Sequence, residues 1–141
     1  MSLQQTRETM VAYSDMLGKR GPYGQFFADG IVFTVMGTDT VVKGKVEVEQ
    51  FIRFFHEVAF DAEPVVKHPY FDDGHAAVEF EFVGKHIGEF MGVAASGRHV
   101  ELPYMAAYDV DGTKITALRL YMAMDQLMRL ISAPATDQVP A

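Results

Sequence analysis

Five histidines, His56, His68, His75, His86 and His99, are the chain's candidates for proton transfer, because imidazole titrates near neutral pH. No two of them stand two or four residues apart, so no strand or helix presents a ready-made pair of metal ligands. We therefore predict no metal site. His56-Glu57 begins like a zinc-protease helix, but Phe60 stands where the second histidine belongs. There is no Cys, which excludes thiolate nucleophiles and thiolate metal ligands. Ser96 lacks the flanking glycines of a nucleophile elbow. No phosphate-binding loop or dinucleotide fingerprint occurs, so no cofactor is implied.

His86 stands out by its phase. From Ala76 the chain alternates, and Ala76, Val78, Phe80, Phe82, Gly84 and His86 share one face. An inward histidine at the end of that apolar face can shuttle protons, or can serve as a hydrogen-bonded residue at a pocket rim. Tyr104 falls on the apolar face of the next strand with Val100, Leu102, Ala106 and Tyr108. A buried tyrosine needs a hydrogen-bond partner, either a core neighbour or a ligand oxygen. His86 and Tyr104 are thus the predicted catalytic pair. Glu79 and Glu81 point outward and read as solvated.

The elements that hold these residues follow from periodicity and turn signals. The spacing predicts a helix over 3–18, ended by Gly18-Lys19-Arg20-Gly21-Pro22, and a short second helix over 23–28. It predicts strands over 31–36 and 40–43. A helix over 45–59 follows, with Val46, Phe51, Phe54, Phe55 and Val58 as its apolar stripe. Strands are predicted over 65–70, 76–86, 98–110 and 114–122, with hairpin turns at Asp72-Asp73-Gly74 and Asp111-Gly112, and a helical turn over 125–131. On the last strand Leu118, Leu120 and Met122 are expected inside, with Arg119 and Tyr121 outside. Helices first and hairpin-joined strands later imply an α+β fold, an antiparallel sheet with helices on one face. If curved, such a sheet encloses an apolar pocket.

The 141 residues suit one domain, which we place at 1–132, with a flexible C-terminal tail at 133–141. With 12 basic and 19 acidic residues the net charge is −7, which argues against a nucleic-acid partner or an anionic membrane surface. No stretch reaches the length of a membrane helix and the first residues lack a signal-peptide core, so the expected location is the cytoplasm.

From Phe82 onward the string resembles the SnoaL-like polyketide cyclases of the nuclear-transport-factor-2-like superfamily. The matching residues are Gly84-Lys85-His86-Ile87-Gly88-Glu89-Phe90-Met91-Gly92-Val93, then Ala95-Ser96-Gly97-Arg98-His99-Val100, Asp111-Gly112-Thr113-Lys114-Ile115 and Arg119-Leu120-Tyr121. Phe27-Ala28-Asp29, Met36-Gly37-Thr38 and Gly44 also match. The resemblance covers about residues 8–131. It implies a cone-shaped fold, a curved antiparallel sheet wrapped around N-terminal helices with a deep apolar pocket. It also implies a homodimer through the outer sheet face. Characterised members close polyketide rings by aldol condensation without metal or cofactor, and other members of the superfamily isomerise ketosteroids or only bind ligands. The family's pocket Asp on the last strand corresponds here to Leu120 or Ala123, neither of which moves a proton.

Three readings follow. One is an enzyme of the lyase or isomerase type, acting on a small apolar carbonyl compound by acid/base chemistry. Another is a non-catalytic dimer that binds a small apolar molecule, motivated by the missing Asp. The third is a dimerisation scaffold with a collapsed, filled pocket. In the first two cases the residues expected to line the pocket are Tyr13, Thr34, Met36, Phe51, Phe55, Phe80, Phe82, Met91, Leu120 and Met122.

Overall fold

The computed structural model describes residues 1–132, and the tail predicted at 133–141 lies outside them. The first helix, α1 (Leu3–Gly18), begins where the Ser2 hydroxyl accepts the Gln5 N–H and buries Met10, Tyr13 and Leu17. Its remaining buried face is polar and tied to hairpin turns. Thr9 donates to the Gly112 carbonyl, and the Gly74 N–H donates to Thr6. These bonds satisfy the threonine hydroxyls where they are buried and fix how α1 lies across the sheet.

A 3₁₀ turn (Tyr23–Phe26) replaces the short helix expected over 23–28, and β1 (Phe27–Val35) starts four residues earlier than periodicity suggests. β2 (Val41–Lys43) and α2 (Lys45–Arg53) follow, and α2 runs into a π-turn (Phe54–Val58). Then come the long strands β3 (Phe60–Asp72), β4 (His75–His86), β5 (His99–Asp111) and β6 (Lys114–Met122). The chain continues into α3 (Met124–Ser132). β3 is twice the expected strand because Phe60 and Ala62 also bury, and its outer half is too polar to show the alternation.

The six strands form one sheet in the order β2-β1-β6-β5-β4-β3. The expected α+β class is found, but the sheet is mixed: β1 runs parallel to β6, while every other neighbouring pair is antiparallel. The reason is connectivity, since β1 enters the sheet beside the last strand rather than beside a hairpin partner. Register shifts at Phe27/Val32, Val66/His68 and Asp109/Val110 bend the sheet, which curves around α1 and α2 without closing.

The concave face carries the core. Val78, Phe80 and Phe82 of β4, Val100, Leu102, Ala106 and Tyr108 of β5, and Leu118, Leu120 and Met122 of β6 are all buried. Burying each large side chain contributes about 1.5–3 kcal/mol. Arg119 lies on the convex face, as expected from the apolar phase of β6, and its guanidinium donates twice to the Asp109 carboxylate. Tyr121 shares that outer face and is exposed. On α2 the stripe differs from expectation. Val48 and Ile52 are buried, whereas Val46, Phe54 and Val58 are exposed. Among the described residues no helix is long and apolar enough to cross a membrane.

Candidate active site

Between the helices and the concave face lies a narrow apolar cavity of about 40 Å³. Tyr13 and Leu17 of α1 close one side, and Phe33 of β1 with Leu118 and Leu120 of β6 close another. Phe51 and Ile52 of α2 and Phe55 and His56 of the π-turn cover it. Phe80, Tyr104, Ala106 and Tyr108 form its base. Aromatic pairs narrow it: Phe80 stacks on Tyr104 at 4.9 Å between ring centres, and Phe33 meets Phe51 at 5.2 Å. A space this size admits water and little more. A ligand must displace a ring, and Phe51, His56 and Tyr104 are the half-buried ones.

No lining residue carries a formal charge at neutral pH, and the polar equipment is one imidazole and three phenols. The hydroxyls of Tyr13, Tyr104 and Tyr108 make no hydrogen bond among the described residues. Burial is the main cause that raises all three phenols, and they also disfavour one another's ionisation. Each therefore stays a protonated donor with no acceptor.

His56 has complementary chemistry. Its Nδ1 lies 2.9 Å from the Ile52 carbonyl oxygen, which can only accept, so Nδ1 carries the proton. That leaves a lone pair on Nε2, which is shut off from solvent and has no partner. Burial is the main cause that holds the imidazole below its usual range. The Ile52 bond opposes it, the positive charge of Arg20 reinforces it, and Glu57 opposes it weakly. The ring is thus neutral at neutral pH. A neutral imidazole with an unpartnered, packed-over lone pair and three protonated phenols thus share the wall of one cavity, which puts a base and oxyanion donors around the same space.

The π-turn brings His56 to this wall. Ala59 donates its N–H to the Phe54 carbonyl five residues back, one residue wider than an α-turn. Phe55 and His56 consequently both border the cavity. The sequence does hold a signal for His56: it continues the buried series Val48, Ile52 at intervals of four. That series is hidden by the louder stripe of Phe51, Phe54 and Phe55.

Of the residues picked from sequence, Tyr13, Phe51, Phe55, Phe80, Tyr104 and Leu120 border the cavity. His86 does not, and its placement needs correction. Its phase is inward as expected and it is fully buried, but it stands six residues beyond Phe80, roughly 20 Å along the strand. There its ring packs on Phe60, and Nδ1 accepts from the Ser96 backbone N–H and hydroxyl. Burial lowers its basicity, and the nearby Gly88 backbone partly offsets this. The structure also corrects Thr34, Met36, Phe82, Met91 and Met122. Thr34 points to the other face of β1, and Met36 follows the strand end, half-buried. Phe82 lies behind Phe55, stacked at 4.7 Å. Met91 is 67 % exposed in a left-handed turn, and Met122 is buried near α3, past the cavity. Leu17, Phe33, Ile52, His56, Ala106, Tyr108 and Leu118 join the lining instead. Three of these, Ala106, Tyr108 and Leu118, were on faces already read as inward. Among the described residues no group of three His, Cys, Asp or Glu gathers to hold a metal.

The model of the family described as SnoaL-like polyketide cyclase matches residues 8–129. No curated protein sequence matches the chain. Solved structures are similar in fold. A candidate SnoaL-like polyketide cyclase from Jannaschia sp. CCS1 superposes with a TM-score of 0.83 at 21 % identity, covering 93 % of this chain and 94 % of the other. A candidate polyketide cyclase from Silicibacter sp. TM1040 gives 0.80 at 18 % identity, covering 94 % and 99 %. A phenazine biosynthesis-related protein from Pseudomonas aeruginosa gives 0.75 at 24 % identity, covering 98 % and 85 %.

Proposed function

The chain belongs to the SnoaL-like polyketide cyclase family, and from that premise we propose that it is an acid/base enzyme acting on a small apolar carbonyl compound. The reaction is of the aldol-cyclisation or isomerisation type. The observation that carries this reading is the unpartnered Nε2 of His56 in the wall of a cavity with three unpartnered phenols. The family's pocket Asp is absent at Leu120, which is part of the cavity wall, and at Ala123, which is exposed. His56 supplies the missing base from the opposite side.

In this proposal His56 Nε2 takes a proton from the carbon next to a ligand carbonyl. The electrons of that C–H bond pass to the carbonyl oxygen, where the hydroxyl of Tyr104, helped by Tyr108, donates to the enolate. The enolate carbon then attacks a second carbonyl or takes a proton back at another carbon, and the imidazolium returns its proton. Exclusion of water strengthens each of these interactions.

Exchange of α-hydrogens of enolisable ketones with deuterated water, followed by NMR, tests the reading without knowledge of the natural substrate. Exchange that depends on the wild-type protein and is lost in His56→Gln supports it. A protein that retains a small molecule in native mass spectrometry but exchanges no hydrogen favours the binding-only reading. The same measurement reports subunit count. We propose a homodimer formed through the outer sheet face, where Tyr70 and Tyr121 are exposed beside the Arg119–Asp109 pair. A monomeric mass would refute it.

A further inference from the structure

The loop that ends α1 is built around a residue in the wrong conformation for its type. The Gly21 N–H donates to the Met16 carbonyl and the Arg20 N–H to the Leu17 carbonyl, which is the Schellman closure of a helix. In that closure Arg20 occupies the left-handed position, with φ +54°, where glycine is usual, and Gly21 follows one residue too late to take it. A side chain kept where its backbone is strained needs a purpose for that side chain.

The side chain reaches the π-turn. Nη2 of Arg20 donates to Asp61 Oδ1 at 2.8 Å, to the Ala62 carbonyl at 3.1 Å and to the His56 carbonyl at 3.3 Å. Arg53, at the junction of α2 and the π-turn, returns the tie. Its Nη2 donates to the Gly21 carbonyl at 2.6 Å and its Nη1 to the Arg20 carbonyl at 3.4 Å, while the guanidinium lies 4.5 Å over the Tyr23 ring. Two arginines therefore cross between the end of α1 and the segment that carries His56. Leu17 and His56 also border a second, outer cleft with Arg20, Glu57 and Glu63. His56 is thus the partition between cavity and surface, and Arg20 stands on its solvent side.

We propose that Arg20 is a positioning residue for His56: its guanidinium pins the π-turn backbone at the His56 carbonyl, which keeps the imidazole in the partition with Nδ1 on Ile52 and Nε2 free. The inference rests on the reading of His56 as the base, and it adds the group that holds it there. The charged groups on the solvent side are Arg20, Glu57 and Glu63, with Asp61 paired to Arg20 and Arg53 paired to Glu49 and Glu57. Among the described residues, the titratable groups on the cavity side are the phenols of Tyr13, Tyr104 and Tyr108. Loss of Arg20 removes a cation that opposes protonation of the ring and admits water to it. Both changes make the ring easier to protonate.

The test is long-range proton–nitrogen NMR of the isotope-labelled full chain, which reports the two ring nitrogens of His56 separately through a pH titration. Arg20→Gly is the decisive variant, because glycine suits the left-handed position and the fold is retained or stabilised. In it the Nδ1 signal loses the signature of its bond to Ile52, and the His56 midpoint rises because relief of burial and of the Arg20 charge outweighs the loss of that bond, while His86 is unchanged. Arg20→Lys keeps a charge but on a shorter stem without the planar fork, so the tie to the His56 carbonyl slackens and Nδ1–H exchange with water quickens about tenfold with little change of midpoint. A folded Arg20→Gly protein whose His56 midpoint and Nδ1 signal match wild type overturns the proposal, as does Arg20→Lys with unaltered exchange. No substrate enters this measurement, so it succeeds or fails separately from the hydrogen-exchange assay.

Discussion

His56, half-buried with its Nε2 shut off from solvent, and His86, fully buried, stand in one small domain and differ in the respects that decide function. Each has an Nε2 without a partner, and burial lowers the basicity of each. At His56 a backbone carbonyl takes the Nδ1 proton, so the free nitrogen is an acceptor. At His86 the Ser96 hydroxyl and backbone N–H point at Nδ1, so the free nitrogen carries the proton. His56 borders a cavity. His86 fills the end of β4, with a ring on Phe60 and the 87–97 segment over it. That segment is anchored to the π-turn, where the N–H groups of Ile87 and Gly88 both donate to the Ala59 carbonyl and a Cβ on Gly88 would collide with the Val58 carbonyl. Burial and a shifted titration therefore do not identify a catalytic histidine. The tautomer and the adjoining empty space do.

Turnover separates the two most strongly. His56→Gln is expected to cut α-hydrogen exchange by about 10²–10⁴-fold, the usual worth of a positioned general base. His86→Gln is expected to leave exchange within a few-fold of wild type. Equal losses in both variants, measured on protein of equal foldedness, would erase the distinction.

Stability reverses the order. His86→Ala removes a fully buried ring from the contact with Phe60 and strands the Ser96 donors, so we expect about 2–4 kcal/mol of destabilisation in a denaturant titration. His56→Gln retains a polar side chain able to face Ile52 and costs about 1 kcal/mol or less.

Much of this was legible in the sequence, and the histidine assignment shows where legibility stopped. Alternation gave the inward faces of β4, β5 and β6 directly, because a strand with one wet face must alternate. Tyr104 came from that pattern, and Tyr108 shared its face. Alternation carries parity but not depth, so His86 had the right face at the wrong end of the strand. The helix failed for another reason. An α-period applied across 45–59 spreads over a segment that changes to a π-turn at Phe54, and past that point the period no longer says which residue faces in. The pairing of β1 with β6 is a contact between residues some 85 positions apart, which no local pattern encodes.

The phenols sharpen the comparison by a smaller amount. Tyr104→Phe removes one donor from a cavity that has three, and we expect a loss of about tenfold in hydrogen exchange. The double variant Tyr104→Phe/Tyr108→Phe should lose more than the product of the single effects, since each hydroxyl backs up the other. Thermal midpoints should change little, because neither hydroxyl bonds to the protein. Unaltered exchange in the double variant would exclude both phenols from the donor role.

Acid should weaken the fold through both histidines, and this is the smallest effect and the one they share. Each has a folded-state pKa below the ordinary histidine value of 6.5, so the unfolded chain takes up the proton first as pH falls. Stability from each group is complete above about pH 6.5 and is lost as pH drops from there through the folded-state pKa. The slope in that window approaches at most about 1.4 kcal/mol per pH unit for each group. Asp109 acts separately at lower pH. Its bond from Arg119 holds its carboxyl below 3.8, and that contribution disappears only as pH falls beneath this value. Denaturant titrations across the weakly acid range should therefore show a slope that His56→Gln and His86→Gln each reduce by about half. If His86 alone carried the slope, His56 would be open to solvent in the native protein, and its lone pair would be met by water rather than held for a ligand.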